Sequence, residues 1–438
     1  MSGDDRPPGH GSAGRRPGPT RRRPENRLLI GFAVSRRRDA DHGYLRRRRP
    51  ALTRSLEIDG YRFTRYLSGP AGGHGPQPVV DGDVVCISDG EIYGAVAETG
   101  GAEDPISLYR RHGEDFAGRL DGDFALALYD FGRRVLLLAN GPFGSKPLFV
   151  MGTEVASSRG ALGGGERVAP NAVTVVDLDT GEHRRTTPEP FDFDHQHKES
   201  YDDWIRAFER AVARRAAEGC YVPLSAGYDS GGIDCALDRL GVIYKAYSIE
   251  GRENVDLLRR RNRAGEILRM DEATYAERGA FLRANAESET FRVTIFTGEE
   301  EDYDVLEDPA TRGLALIHSR ARAEGRRVFL SGQGADETLA ACRHWPGTRF
   351  PENLEPWPDF AGNWQTAYLA KEEAAARACG VEARYPFLDR AVVQEFLWLA
   401  PELKNRHYKA PLHEYMTRCG YPFDENVKTG FTPLPRRS

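Results

Sequence analysis

Two short apolar runs, each ending in a glycine-punctuated turn that carries an aspartate, restrict the possible folds of this chain more than any other feature. The first is YVPLSAGYDS, Tyr221–Ser230, and the second is RVFLSGQGADE, Arg327–Glu337. Each reads as a buried strand running straight into a turn. Helical spacing precedes them at Trp204, Ile205, Phe208 and Val212. A short helix, GGIDCALDRL, follows the first turn, then a strand in GVIYKAYSIE and a long polar region that reads as helical. Further helices are predicted over 363–379 and 389–399. Strands alternating with helices predict an open parallel sheet. In such sheets the loops at the carboxyl ends of the strands share one crevice.

The two turns carry a chemistry. Ser225-x-Gly227-x-Asp229-Ser230 sets small residues and backbone N–H groups at a strand-to-helix turn, which suits phosphate oxygens. Gly227 lets the backbone come close, and the Ser225 and Ser230 hydroxyls can donate to the anion. Asp229 is useful beside a phosphate only with a cation between them, so it reads as a Mg2+ ligand. In the second turn Ser331 and Gly332 are candidate nucleotide contacts and Asp336 a second ligand. Taken alone, a Ser/Gly-rich turn is more often just a turn. Neither segment has the glycine–lysine P-loop pattern, which argues against chemistry at a terminal phosphate.

The chain of 438 residues is long enough for two or three domains. Ahead of the α/β pattern, β-like runs alternate with Gly-rich turns: NRLLIGFAV, YRFTRYL, DVVCISDG, then DFALALYDF and RVLLLANG, a hairpin turning near Gly132–Arg133. The pattern continues through Val168–Leu178, and PEPFDFDHQHKES reads as a linker. Residues 1–27 form a basic arm rich in Pro, Gly and Arg, expected to be disordered, with no secretory signal. No apolar stretch reaches the roughly 20 residues that span a bilayer, so no membrane partner is expected. The six cysteines are scattered singly, which fits a reduced, cytoplasmic setting. Arginines crowd the first fifty residues, but only seven of the 61 basic residues are lysines. That bias in composition is favoured over a nucleic-acid partner.

These segments resemble the asparagine synthetase family. SAGYDS is similar to its SGGxDS pyrophosphate loop, SGQGADE to SGEGADE, and ARYPFLD to a helix and loop ending in VPFLD, with Lys409 at a lysine position beyond. In the N-terminal half SDGEIYG resembles NGEIYN, LDGDFALALYD resembles LDGMFAFALYD, and NGPFGSKPLFV resembles RDRFGIKPLYY. The resemblance implies an α+β, Ntn-type sandwich over 28–190, like class II glutamine amidotransferases. After it, over 191–438, comes an α/β parallel-sheet synthetase domain of the PP-loop ATP pyrophosphatase type. It implies ATP and Mg2+, a small-molecule carboxylate and amine as substrates, and a homodimer as plausible. It also implies a nucleotide set of Leu224, Ser225, Gly227, Asp229, Ser230, Ser248, Ser331 and Gly332, with Asp229 and Asp336 on the metal.

The departures matter as much. The nucleophilic cysteine of such glutaminases falls near Ile30, and no cysteine precedes Cys86. NGEIYN has become Asp89–Gly94, losing the asparagine that donates to the oxyanion. An acidic glutamine-binding position appears as Gly101, and the helix before it is largely deleted. Loss of glutamine hydrolysis is therefore expected, as in β-lactam and carbapenam synthetases. In the synthetase half the SGEGADE glutamate is Gln333, which cannot serve as general base near neutral pH. Glu373, Glu372 and Glu382 are candidates to replace it.

The expected reaction is attack of a carboxylate on the α-phosphate of ATP, giving an acyl-adenylate and pyrophosphate, then displacement of AMP by an amine. Lys409 would neutralise the developing charge. Alternatives are amidation by free ammonia, cyclisation of a lasso-type peptide, and a non-catalytic scaffold. His318, His344 and His407, with Trp345, Trp357 and Trp364, are as readily packing residues as ligands, and Cys220 and Cys235 read as small buried residues.

Overall fold

A computed structural model describes residues 29–36, 45, 52–67, 77–95, 104–188, 190–251, 253–261, 265–295, 297–339, 349–425, 431 and 433. The basic arm, Arg46–Arg49, Gly101, His344 and Trp345 lie outside them.

The run DFALALYD shows how the first half is built. It belongs to strand β6 (Leu120–Asp130), and every residue from Asp123 to Asp130 is buried. Successive side chains on a strand point to opposite faces. Ala125, Ala127 and Tyr129 therefore join one apolar core with Phe32, Phe63, Val85 and Leu136. Phe124, Leu126 and Leu128 join a second core with Ile106, Tyr109 and Phe116 of a covering helical layer. A strand buried on both faces reads as continuously apolar, which explains the strength of this signal.

The first of the two six-stranded sheets contains β1 (Leu29–Ser35), β2 (Leu52–Ile58), β3 (Tyr61–Leu67), β8 (Phe149–Met151), β9 (Glu154–Ala156) and β10 (Glu166–Arg167), in the order β10-β8-β9-β1-β3-β2. The second contains β4 (Val79–Asp81), β5 (Val84–Ala95), β6, β7 (Val135–Asn140), β11 (Val173–Asp177) and β12 (His183–Thr186), in the order β12-β11-β7-β6-β5-β4. The pairings are antiparallel, and the β6–β7 hairpin closes with Asp130 opposite Val135. Helix α1 (Pro105–His112) covers the outer face of the second sheet, its N-terminus capped by Asp104.

In the second half, β13 (Tyr221–Pro223), β14 (Lys245–Glu250), β15 (Glu266–Arg269), β18 (Val328–Leu330) and β19 (Glu382–Arg384) form a five-stranded parallel sheet ordered β15-β14-β13-β18-β19. The two turn-bearing strands, β13 and β18, are thus neighbours. Helix α2 (Asp202–Arg215) buries Trp204, Phe208 and Val212, and Phe208 stacks on Trp204 and Phe387. Helix α3 (Tyr228–Arg239) begins three residues earlier than its sequence suggested, so Asp229 and Ser230 sit in its first turn.

The region read as one long polar helix is instead composite. It contains α4 (Val255–Arg261), β15, α5 (Glu272–Asn285), a hairpin of β16 (Thr290–Thr294) with β17 (Glu300–Asp304), and α6 (Pro309–Ala323). The hairpin is stabilised across its strands by Arg292 with Glu300 at 3.1 Å and Asp302 at 2.9 Å. Phe291 and Val293 alternate on the inward side of β16, but the run is only five residues long and β17 is mostly acidic, so the pair is a weak strand signal. Among the described residues, three longer helices follow β18, with shorter turns of helix between them: α7 (Trp364–Cys379), α8 (Arg390–Leu397) and α9 (Ala410–Arg418).

Candidate functional site

The two acidic turns meet where β13 and β18 end. Their separation is set by Gly332: a Cβ there would lie 2.8 Å from the Asp229 Cβ and 3.0 Å from the Ser230 nitrogen. Only glycine allows the second turn to lie this close to the first turn of α3. Across the junction, Lys409 directs its ammonium at both carboxylates. It pairs with Asp229 and, at 2.7 Å, with Asp336. Lys409 is 5% exposed and adopts a left-handed conformation (φ 47°) at the N-terminus of α9. Burial opposes its charge, but Asp229 and Asp336 outweigh that and hold the amine well above its ordinary pKa. The Asp229 and Asp336 side chains remain about a quarter exposed, so the site opens on its acidic side.

The first turn is ordered by its own side chains. The Ser225 and Ser230 hydroxyls lie 2.9 Å apart, Ser230 Oγ accepts from the Ser225 N–H at 3.0 Å, and Ser225 Oγ accepts from Gly227 N–H at 3.1 Å. Gly227 stands at the N-cap of α3 with no side-chain cap, leaving a helix N-terminus suited to an anion. Leu224 and Ser248 are fully buried in the adjoining strand ends, with Leu224 N–H donating to the Tyr247 carbonyl at 2.8 Å. Ser331 is buried, and its hydroxyl accepts from the Gln333 N–H at 3.0 Å. The two carboxylates present hard oxygen donors to one space, a fit to Mg2+, which is commonly held by one or two carboxylates plus substrate phosphates.

The three glutamates nominated as general base separate. Glu373 accepts from Lys146 at 2.5 Å, from Tyr385 at 3.1 Å and from Arg377 at 3.1 Å, which corrects its assignment to the catalytic set. Glu382 pairs with Arg384 at 2.8 Å on β19. Glu372, one position earlier on α7, turns the other way, and Ser331 hydrogen-bonds to it. Burial raises its pKa, and its Oε2 has no partner among the described residues. Glu337, the last residue of the second turn, was not singled out from the sequence. It is fully buried, accepts from Gln333 Nε2 at 3.0 Å, and is pushed up to about 8 by burial and by Asp336. Its place in the acidic motif was the available signal.

Glu373 belongs to a charged seam between the two halves. Arg377 pairs with Asp89 at 2.6 Å, and Arg384 with Glu91 at 2.8 Å. Arg215, fully buried, pairs with Asp123 at 3.0 Å and Asp389 at 2.6 Å, and its guanidinium lies 4.5 Å from the Tyr93 ring centroid. Asp89, Glu91 and Tyr93 all come from the segment that resembles NGEIYN. Ile30 lies on β1, and its strand carries no cysteine. His318 is a core residue, hydrogen-bonded to Tyr221 at 2.8 Å. Trp357 and Trp364 pack against aromatic neighbours, and Cys220 and Cys235 are buried.

Comparison with known proteins gives two family matches. A glutamine amidotransferase domain model matches residues 65–162, and an asparagine synthase model matches 359–422. The second includes Glu372 and Lys409 but neither acidic turn. Over 390 residues the chain is 26% identical to a putative glutamine-hydrolyzing asparagine synthetase 1 of Methanocaldococcus jannaschii, covering 77% of this chain and 70% of that protein. It is 25% identical to asparagine synthetase 1 of Saccharomyces cerevisiae, covering 75% and 67%. It is 24% identical to asparagine synthetase B of Escherichia coli, covering 68% and 57%. The first half is thus a glutamine amidotransferase-type domain, joined to a half built on a parallel sheet.

Proposed function

The chain belongs to the asparagine synthetase family, and from that premise we propose that it adenylates a substrate carboxylate with ATP and joins the acyl group to an amine, without taking ammonia from glutamine. The observation that carries this reading is the single ammonium of Lys409 set between Asp229 and Asp336 at the junction of the two turns. The parallel sheet with its uncapped helix N-terminus supports a PP-loop type of nucleotide site.

A carboxylate oxygen attacks the α-phosphorus, and the bond to the bridging oxygen of pyrophosphate breaks. The N-terminus of α3 and the Ser225 and Ser230 hydroxyls hold the departing pyrophosphate, and Lys409 offsets the charge that gathers on it. Asp229 and Asp336 would hold Mg2+, which supplies charge neutralisation to the phosphates when bound. The amine nitrogen then attacks the acyl carbon, AMP leaves, and the amine gives up a proton. Gln333 cannot take that proton. Glu372 is the group we assign, because burial raises its basicity and one oxygen lacks a partner. Holding acyl group and amine together supplies much of the rate.

Two features support the loss of glutamine hydrolysis: an isoleucine in the nucleophile's position, and Asp89 where the asparagine donor would stand, paired with Arg377. β-Lactam and carbapenam synthetases offer the nearest model, with ring closure by an amine of the same substrate.

The test is pyrophosphate release from Mg·ATP over a panel of amino diacids and simple carboxylates, with and without ammonium. Release with one acid, lost in Asp229→Ala, is the expected result. Dependence on ammonium would redirect the reading to ammonia-dependent amidation. No release and no ATP binding would leave a scaffold.

A further inference from the structure

Three arginines in succession, Arg259, Arg260 and Arg261, end helix α4. The first two are exposed, while the third is 4% exposed and runs beneath the first acidic turn. Arg261 Nη1 donates to the Ser225 and Gly227 carbonyls, each at 2.8 Å, and Nε donates to the Pro422 carbonyl at 2.8 Å. Its Nη2 has no hydrogen-bond partner among the described residues. The guanidinium also lies against the backbone of α3, so that a Cβ at Gly231 would come within 2.8 Å of Nη1. From the loop before α4, Glu253 accepts from the Ala226 N–H at 2.7 Å. The Ser225–Ala226 peptide is therefore held at both ends, its carbonyl by Arg261 and its N–H by Glu253, and Arg261 holds the Gly227 carbonyl as well.

We propose that Arg261 is a positioning residue for the nucleotide: it fixes the peptide orientations of the Ser225–Gly227 turn so that the N-terminus of α3 faces the phosphates. The inference rests on the ATP reading of that turn. Arg261 lies outside both segments matched by family models. A buried guanidinium is costly unless its hydrogen bonds are used. Here they are spent on carbonyls, two of them in the turn, while the carboxylates of Asp234, Asp424 and Glu253 support the charge from nearby. Two carbonyls side by side would otherwise repel and allow the peptide to flip. A flipped Gly227–Tyr228 peptide would turn its oxygen, not its N–H, toward an anion at the N-terminus of α3. Lysine is a poor replacement, because a single ammonium cannot span Ser225, Gly227 and Pro422 as the planar fork does.

The experiment measures Mg·ATP binding to the full chain by calorimetry for wild type, Arg261→Met, Arg261→Lys and the exposed neighbour Arg260→Met, with thermal melting alongside. Arg261→Met is expected to bind Mg·ATP at least tenfold more weakly while still melting cooperatively, with affinity partly restored by millimolar methylguanidinium. Arg261→Lys should lose several-fold and Arg260→Met nothing. Wild-type affinity in a folded Arg261→Met, or weakening without guanidinium rescue, overturns the proposal. Should Arg261→Met fail to fold, Arg261→Lys decides: undiminished affinity overturns it. Loss of binding in Asp229→Ala tests the parent reading separately, and a wild type that binds no Mg·ATP removes both.

Discussion

The segment Asp89–Gly94 and the turn Ser225–Ser230 both resemble chemistry-bearing motifs, yet the molecule places their charges differently. Asp89 and Glu91 each meet an arginine of the other half, Arg377 and Arg384, inside a buried seam. Asp229 and Asp336 instead share one cation, Lys409, and keep part of each carboxylate in solvent. In the seam Arg377 is shared by Asp89 and Glu373, and Arg384 by Glu91 and Glu382, so each arginine ties one half to the other. Asp229 and Asp336 are gathered on one cation within a single half and stay partly open, where a further charged ligand can be received. The contrast is what the proposed function expects of a segment that no longer hydrolyses glutamine beside one that receives a nucleotide.

The largest effect should come from the shared cation. Lys409→Met is expected to lower pyrophosphate release by about 10³-fold, as removal of one charge-stabilising donor commonly does, with a melting temperature within a few degrees of wild type. An unchanged rate would break the comparison. Glu372→Gln should lower the rate of amide formation by about 10²-fold. Its folded pKa is raised by burial, so wild-type activity should fall as pH drops through that value and the base protonates. The variant should lack this acid limb in a pH–rate profile.

In the seam, Arg377→Met leaves Asp89 and Glu373 without that partner and should cost about 3 kcal/mol. That appears as a lower melting temperature, with the rate at 25 °C changed less than about threefold. A large catalytic loss without melting change would show that the seam is not merely cohesive. The smallest effect is expected from Ile30→Cys: no glutamine hydrolysis above background, measured as glutamate release. Any gain would overturn the proposed loss of glutamine hydrolysis.

Much of this was legible in the sequence, for reasons that differ by element. The β6–β7 hairpin declared itself because both faces of β6 are buried. The two turns were visible because glycine and aspartate are restricted by backbone and charge. Other features were hidden by geometry. Glu372 and Glu373 are adjacent in sequence, yet one helical step of about 100° sends one toward Ser331 and the other into the seam. Arg261 was lost in a run of arginines, since nothing local separates a buried guanidinium from two solvated ones. The β16–β17 hairpin was missed because its strands are five residues each and β17 reads EEDYD, so the alternation of Phe291 and Val293 is too short to stand out.

Gly332 has a bearing on how such a protein can change over generations. With the Asp229 Cβ and the Ser230 nitrogen so close, this position accepts no larger residue unless the nucleotide turn moves as well. Its neighbour Gln333 is under no such constraint, since its side chain reaches toward Glu337 rather than into the junction. Position 333 can therefore change while the close packing of the second turn against the first is kept.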